Sequence, residues 1–467
     1  MKKVQWFIIF LVAAILFLPI SNLIGLSGEN EPIHVISSKS DNFEKASRIL
    51  QSKCVDCHSP GMTRMPIYAN WPIAKQLMEH DIEEASERLL LTKEAYSGKE
   101  TLSPLMLARL EGVIRNDSMP PALYLLMHWN GKLNHEEKTT LLTWIAEARA
   151  KHPWSKDAAN QFKGEPVQPL PLSVDLNPEI VALGDKLFQD RRLSGDDTLN
   201  CASCHDLTRG GTDQAKVATG IRGQLGPINS PTVYVAMYNL AQFWDGRAKD
   251  LQEQAEGPVA NPIEMGAVWD EVVEKLKQDE DYAEAFAKLY PEQGLNKTTV
   301  THAIAVFEES LVTPNSRFDQ YLRGNTSALT NEEKAGYELF KTHCASCHSG
   351  PALGGLSFEK MGVARDYFKQ RGGELTEVDN GRFNVTKEEK DRHFFKVPVL
   401  RNIELTFPYF HDGSAETLAD AVRVMGQVQL GKDFSGDEIG DMVAFLKTLT
   451  GEYRGKPLGE LTAEDIR

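Results

Sequence analysis

The chain has 467 residues and a formal net charge of −15 at pH 7. That length has room for about three domains. The acidic balance argues against nucleic acid and against broad adsorption to anionic lipid, while suiting a basic redox partner.

At the N-terminus, Lys2 and Lys3 precede an apolar run from Val4 to Ile20 that continues weakly through Leu23, Ile24 and Leu26. Such a run is long enough to span a bilayer, with the lysines on the inner side. A cleaved signal peptide is the competing reading, but its apolar region would be unusually long and no small-x-small cleavage site stands out. Residues 1–26 are therefore expected to form a single-pass anchor in the inner membrane, with the body of the chain in the periplasm. Residues 27–41 are polar and read as a tether. A first unit, 27–151, closes on an amphipathic stretch from Glu136 to Ala150. A Pro-rich linker follows over 152–178, carrying Pro153, Pro166, Pro169, Pro171 and Pro178. Two further units are expected at 179–325 and 326–467. Periodic stretches over 269–289, 300–312 and 436–449 make the fold mainly α.

Each unit contains one Cys-x-x-Cys-His pentad. They are Cys54-Val55-Asp56-Cys57-His58, Cys201-Ala202-Ser203-Cys204-His205 and Cys344-Ala345-Ser346-Cys347-His348. With 6 Cys and 12 His in the chain, chance would supply roughly 0.002 such pentads. The two thiols of a pentad add across the vinyl groups of haem, and the adjacent His ligates the iron. A zinc ribbon would not need a His after every pair. A redox dithiol would need one pair, inside a βαβ pattern that is absent here. Three covalently bound haem c groups are expected, and no cysteine remains for a disulfide. Haem burial then supplies the extra core that small domains otherwise lack. The last two units share an internal echo. Gly184-Asp185-Lys186-Leu187-Phe188 precedes Cys201, Gly336-Tyr337-Glu338-Leu339-Phe340 precedes Cys344, and a Gly-Gly pair follows each pentad. This reads as three cytochrome modules in tandem, with a helix presenting each pentad.

An electron-transfer haem wants both axial positions filled, and a thioether raises its potential. For the first haem Met119 is the best sixth ligand, because Met119-Pro120-Pro121 forms a stiff, non-helical loop. Met65, His80 and His128 are its rivals. For the third haem the candidates are Met361 and Met425. A haem that instead binds a substrate needs an open sixth position and a nearby acid–base group. Glu264, in a loop after Pro262, can face such a pocket.

From about residue 179 to 452 the chain resembles the bacterial di-haem cytochrome c peroxidases. The resemblance rests on the double pentad, Gly226-Pro227-Ile228-Asn229-Ser230-Pro231-Thr232, Gln242-Phe243-Trp244-Asp245-Gly246-Arg247-Ala248, Asn261-Pro262-Ile263-Glu264-Met265 and Pro408-Tyr409-Phe410-His411-Asp412-Gly413. An extra haem unit behind an anchor is similar to the three-haem quinol peroxidases related to that family. The resemblance implies reduction of hydrogen peroxide to water at the second haem, with electrons entering at the first haem and passing through the third. Membrane quinol is the donor it implies, a soluble cytochrome or copper protein the alternative. A non-catalytic electron conduit, with all three irons six-coordinate, is a further reading. Relatives that oxidise a protein tryptophan carry Tyr where this chain has Met425.

By the same resemblance Met425 ligates the third haem, Glu264 is the distal acid–base group and Gln254 orients peroxide. Phe243 lines the pocket, and Trp244 lies between two haems. Calcium binds the side chain of Asn229 and the backbone carbonyls of Thr406 and Pro408, and His411 lies near the haems. Many family members block the peroxide site with a His in the loop after the second pentad. Ile221 stands in that register, and no His occurs between His205 and His302. An aliphatic side chain cannot ligate iron, so the reductive activation switch is expected to be missing. Another residue of the same loop, such as Lys216, is the alternative ligand.

Overall fold

The computed structural model describes residues 2–23, 41–59 and 66–466. The tether, apart from Asp41, and Met65 lie outside them. The chain is mainly helical, and its only two paired-strand elements are short antiparallel ribbons among the described residues. Contacts divide it into two compact units, residues 1–153 with 164–166, and residues 154–163 with 167–467.

In the first unit the Asp41–Lys53 helix runs directly into Cys54. It packs on His135–Lys151, the helix expected over 136–150. Asn134 starts that helix with a capping box closed by Glu137. Ala46, Leu50, Leu141 and Ile145 are nearly inaccessible at the crossing. The carboxylate of Glu111, on the Pro104–Arg115 helix, pairs in the interior with Arg149. A buried pair of this kind adds little net stability, but removing one partner would strand the other charge. The anchor expectation falls on the Lys2–Leu23 helix, 22 residues long. Half of its side chains lie outside the described ones. No helix is long and apolar enough to cross a membrane among the described residues.

The second unit uses the same crossing twice. Pro178–Phe188 packs on Lys297–Ser310, and Asn331–His343 on Gly436–Lys447. A Cβ at Gly184 would sit 2.0 Å from the Ala303 carbonyl, and one at Gly336 would sit 1.9 Å from the Asp441 carbonyl. The repeated glycines are there because two helix backbones touch. Ala46 holds the matching position in the first unit, eight residues before its pentad as Gly336 is before the third. Arg401, fully buried, ties the second unit together. It pairs with Asp319 at 2.8 Å and donates to the carbonyls of Pro351 and Gln168.

Two expectations change in detail. The periodic stretch 269–289 is two helices, Trp269–Lys277 and Glu280–Leu289, because the Asp279 side chain accepts from the Asp281 and Tyr282 amides and starts a new helix. The second pentad does not follow its helix directly. Pro178–Phe188 ends well before Cys201, and Asn200 braces the intervening loop by donating to the Gln189 carbonyl at 2.7 Å.

Candidate functional site

The three pentads share one local construction. In each, the His backbone amide bonds the carbonyl of the first Cys, at 3.1 Å for His58, 3.0 Å for His205 and 2.9 Å for His348. That turn presents both sulfurs and the imidazole together. The Nδ1 atom of each ring faces a backbone carbonyl: Leu89 at 2.9 Å for His58, Gly211 at 3.3 Å for His205 and Leu353 at 3.1 Å for His348. An Nδ1–H donated to a carbonyl fixes the tautomer and leaves Nε2 free to ligate a metal. Burial pulls all three imidazoles below their usual range, His348 to about 4, which keeps them neutral. Burial also raises the thiols, Cys54 to about 12 and Cys57 and Cys204 to about 11. The Ser349 hydroxyl, beside the third pentad, is buried without a hydrogen-bond partner. Paired thiols, a neutral His with a free Nε2 and an orphaned buried hydroxyl all fit a covalently held haem.

Around the second pentad the structure gathers several of the expected residues. Glu264 is half-buried and lies within electrostatic reach of Cys204. Its amide bonds the Asn261 carbonyl at 3.0 Å, and its Oε1 accepts from Asn261 Nδ2 at 2.8 Å. Burial pushes its carboxyl above the usual range, while the Arg247 guanidinium and the Asn261 amide pull it back. Gln254 lies on the Leu251–Ala260 helix, which feeds directly into the Asn261–Glu264 turn. It shares a face with Gly257 one turn on. A Cβ at Gly257 would lie 3.5 Å from Phe243 Cζ, so that face and the Phe243 ring lie together. The Arg247 guanidinium stacks 3.5 Å from the centroid of Phe243. Ile221 is 2% exposed, and its amide donates to the Glu264 carbonyl at 2.7 Å. The loop that carries Ile221 is thus docked on the loop that carries the carboxylate. Lys216 is exposed.

Trp244 joins this region to the surroundings of Met425. Its indole Nε1–H donates to the Asn229 carbonyl at 2.9 Å, and its ring meets His411 edge-on at 6.3 Å. Trp244 and Met425 both pack on the buried cluster of Met361, Tyr367, Phe368, Phe395 and Val428. Met361 is buried, whereas Met425 is half-buried on the Leu418–Leu430 helix.

Asn229 is buried, and its amide donates to the His411 carbonyl at 2.8 Å, which brings the 406–411 segment alongside. Its Nδ2 donates to the Ala215 carbonyl at 2.9 Å, leaving Oδ1 as the atom able to face a cation. Thr406 turns its hydroxyl to the Ile403 carbonyl, and among the described residues no hydrogen bond ends on its own carbonyl or on that of Pro408. His411 donates from Nε2 to Asp379 Oδ1 at 2.8 Å. Asp379, His411 and Asp412 bring three ligand-type atoms within 4.8 Å. Arg371 Nη1 lies 2.8 Å from both carboxylates and already supplies the positive charge there.

In the first unit Met119 sits outside the helices, between Pro104–Arg115 and Ala122–Met127, and is 41% exposed. His128 stacks on Tyr124 at 3.8 Å, with Nδ1 toward the Tyr124 carbonyl and Nε2 toward the Tyr68 hydroxyl. His80 is exposed beside Glu84. Sequence reasoning gave no role to Arg247, Asn261 or Asp379. The first two stand inside quoted motifs, but only the fold turns them toward Glu264.

Residues 178–327 match the family model for di-haem cytochrome c peroxidase, and residues 14–147 match that for a haem-binding domain. The chain is 44% identical to the cytochrome c peroxidase Ccp of Escherichia coli strain K12 over 421 residues, covering 89% of this chain and 90% of the relative. It is 50% identical to the cytochrome c551 peroxidase of Nitrosomonas europaea over 290 residues, 62% of this chain and 85% of that one. Among solved structures, a MauG-like protein associated with microbial copper homeostasis superposes with a TM-score of 0.53 at 30% identity, covering 61% of this chain and 93% of that one.

Proposed function

The chain belongs to the di-haem cytochrome c peroxidase family and is a haem peroxidase acting on hydrogen peroxide; on that premise we propose that its electrons come from membrane quinol. The observation that carries this reading is the pairing of a pentad-bearing N-terminal unit with the apolar segment Val4–Ile20 ahead of it. A donor confined to the bilayer is best met by an enzyme anchored to it, with the body in the periplasm. In this reading each pentad serves one unit, 27–151, 179–325 and 326–467, and holds one haem c. With haem bound at all three, electrons would enter at the first, be relayed by the third and be used at the second.

When bound, haem supplies the one-electron redox chemistry, and the chain's own residues do the rest. His58, His205 and His348 would hold the three irons through Nε2, and Met119 and Met425 would be further ligands at the first and third pentads. At the second pentad Glu264 takes the proton from one peroxide oxygen and gives it to the other, so that water can leave. A carboxyl raised by burial is suited to both halves of that transfer. Gln254 orients peroxide, and Phe243 with Arg247 stacked on it walls the pocket. Trp244 bridges toward the Met425 cluster. Ile221, whose side chain cannot ligate iron, would let peroxide bind at the second pentad without prior reduction. Calcium, held by Asn229 Oδ1 and the carbonyls of Thr406 and Pro408 with waters, would brace the same region.

A second reading keeps the reaction and takes electrons from a soluble cytochrome. The relatives' names, cytochrome c peroxidase and cytochrome c551 peroxidase, favour it, and the charge of −15 would steer a basic donor. Deleting residues 1–26 separates the two. Under the quinol reading the truncated enzyme loses peroxide reduction in quinone-containing membranes but keeps turnover with a water-soluble quinol analogue. Full activity of the truncated enzyme in those membranes would refute the reading.

A further inference from the structure

Lys396, the last residue of the short strand Phe394–Lys396, is only 6% exposed. Its ammonium has no hydrogen-bond or ion-pair partner among the described residues, and burial is the one influence acting on it. Other deeply buried charges are matched. Arg401 pairs with Asp319, Asp379 with Arg371, and Lys341 with Glu338. Glu308, buried with an idle Oε2, escapes by keeping its proton, since burial raises it to about 8. Lys396 has no such escape at neutral pH. Burial lowers it only to about 8, so it still carries its charge. A charged lysine that is only 6% exposed and has no partner is costly for a fold to keep.

Its backbone ties it to the surroundings of the third pentad. The Lys396 amide donates to the Trp244 carbonyl at 2.8 Å. The next residue, Val397, bonds Ser357 at 2.9 Å and accepts from Gly355 at 2.8 Å. The Pro398 carbonyl then reaches the imidazole of His348. Lys396 is thus stitched between the Trp244 hairpin and the loop that follows the third pentad, where the Ser349 hydroxyl is also buried and unpartnered. A haem held at that pentad brings two carboxylates that must find cations or hydrogen-bond donors. We propose that Lys396 is the anchoring cation for a propionate of the haem held by Cys344, Cys347 and His348. The inference rests on haem attachment at that pentad and goes beyond it, since no pentad residue supplies a counter-charge.

A cation beside a propionate favours the reduced, less positive haem, so its removal lowers that haem's potential. The experiment compares Lys396→Met and Lys396→Arg with the wild type as full-length holoenzymes, each first checked for haem content. Redox titration of Lys396→Met should show one haem, that of the third pentad, shifted down by about tenfold in its reduction equilibrium, which is about 59 mV. The other haems should not move, and Lys396→Arg should restore the wild-type value. Unchanged potentials, or a shift confined to another haem, would overturn the assignment. If Lys396→Met does not hold its haems, resonance Raman of Lys396→Arg decides. A displaced propionate bending band supports the pairing, and an unmoved band overturns it. Wild-type protein lacking haem at the third pentad would instead refute the attachment on which the inference stands.

Discussion

Replacing Glu264 by Gln keeps the size of the side chain and the hydrogen bond from Asn261, whose Nδ2 can meet an amide oxygen where it now meets Oε1 at 2.8 Å. The fold around it should therefore persist, with only the acid–base group lost. General acid–base catalysis contributes about 10²–10⁴-fold, equivalent to about 2.7–5.4 kcal/mol of barrier. Steady-state peroxide turnover should fall by that factor while the haem spectra stay nearly unchanged. The pH profile gives a sharper assay. To accept the first proton Glu264 must be ionised, so turnover should decline as pH falls through its pKa. Burial places that limb above the ordinary Glu range, and Arg247 holds it down. Arg247→Gln should therefore move the limb to higher pH, and Glu264→Gln should abolish it. Turnover within a few fold of wild type, or a limb that survives in Glu264→Gln, would refute the assignment.

Met119→Ala should lower the potential of one haem and slow electron entry, while peroxide still oxidises the pre-reduced enzyme. An unchanged redox titration would remove Met119 as a ligand. Ile221→His should convert one haem to a low-spin, bis-His form and make activity depend on pre-reduction. The wild type should bind cyanide in its oxidised state and show no lag, and a lag in the wild type would defeat the open-site reading.

Much of this was legible because the chemistry is local in sequence. A Cys-x-x-Cys-His pentad folds into one turn, so its role survives without knowledge of the tertiary structure. The Gly184 and Gly336 echo was legible too, although its cause, the helix crossings at Ala303 and Asp441, is visible only in three dimensions. Glu264 could be picked out as a candidate because its loop motif is contiguous. The groups that tune the site could not. Arg247 reaches Phe243 and Glu264 only after the 242–248 hairpin folds back. Asp379 meets His411 across 32 positions. Lys396 looks like a surface lysine until the strand that carries it is buried. The break at Asp279 was missed because the apolar period runs through it, while the capping carboxylate overrides the period locally.

The most direct test of the account is steady-state hydrogen peroxide reduction by the full-length enzyme in membranes, with a quinol and with reduced cytochrome c as alternative donors. The account predicts turnover with quinol that exceeds turnover with cytochrome c and depends little on salt, because the donor reaches the enzyme through the bilayer. Faster turnover with cytochrome c, falling steeply as salt screens the acidic surface, would contradict it.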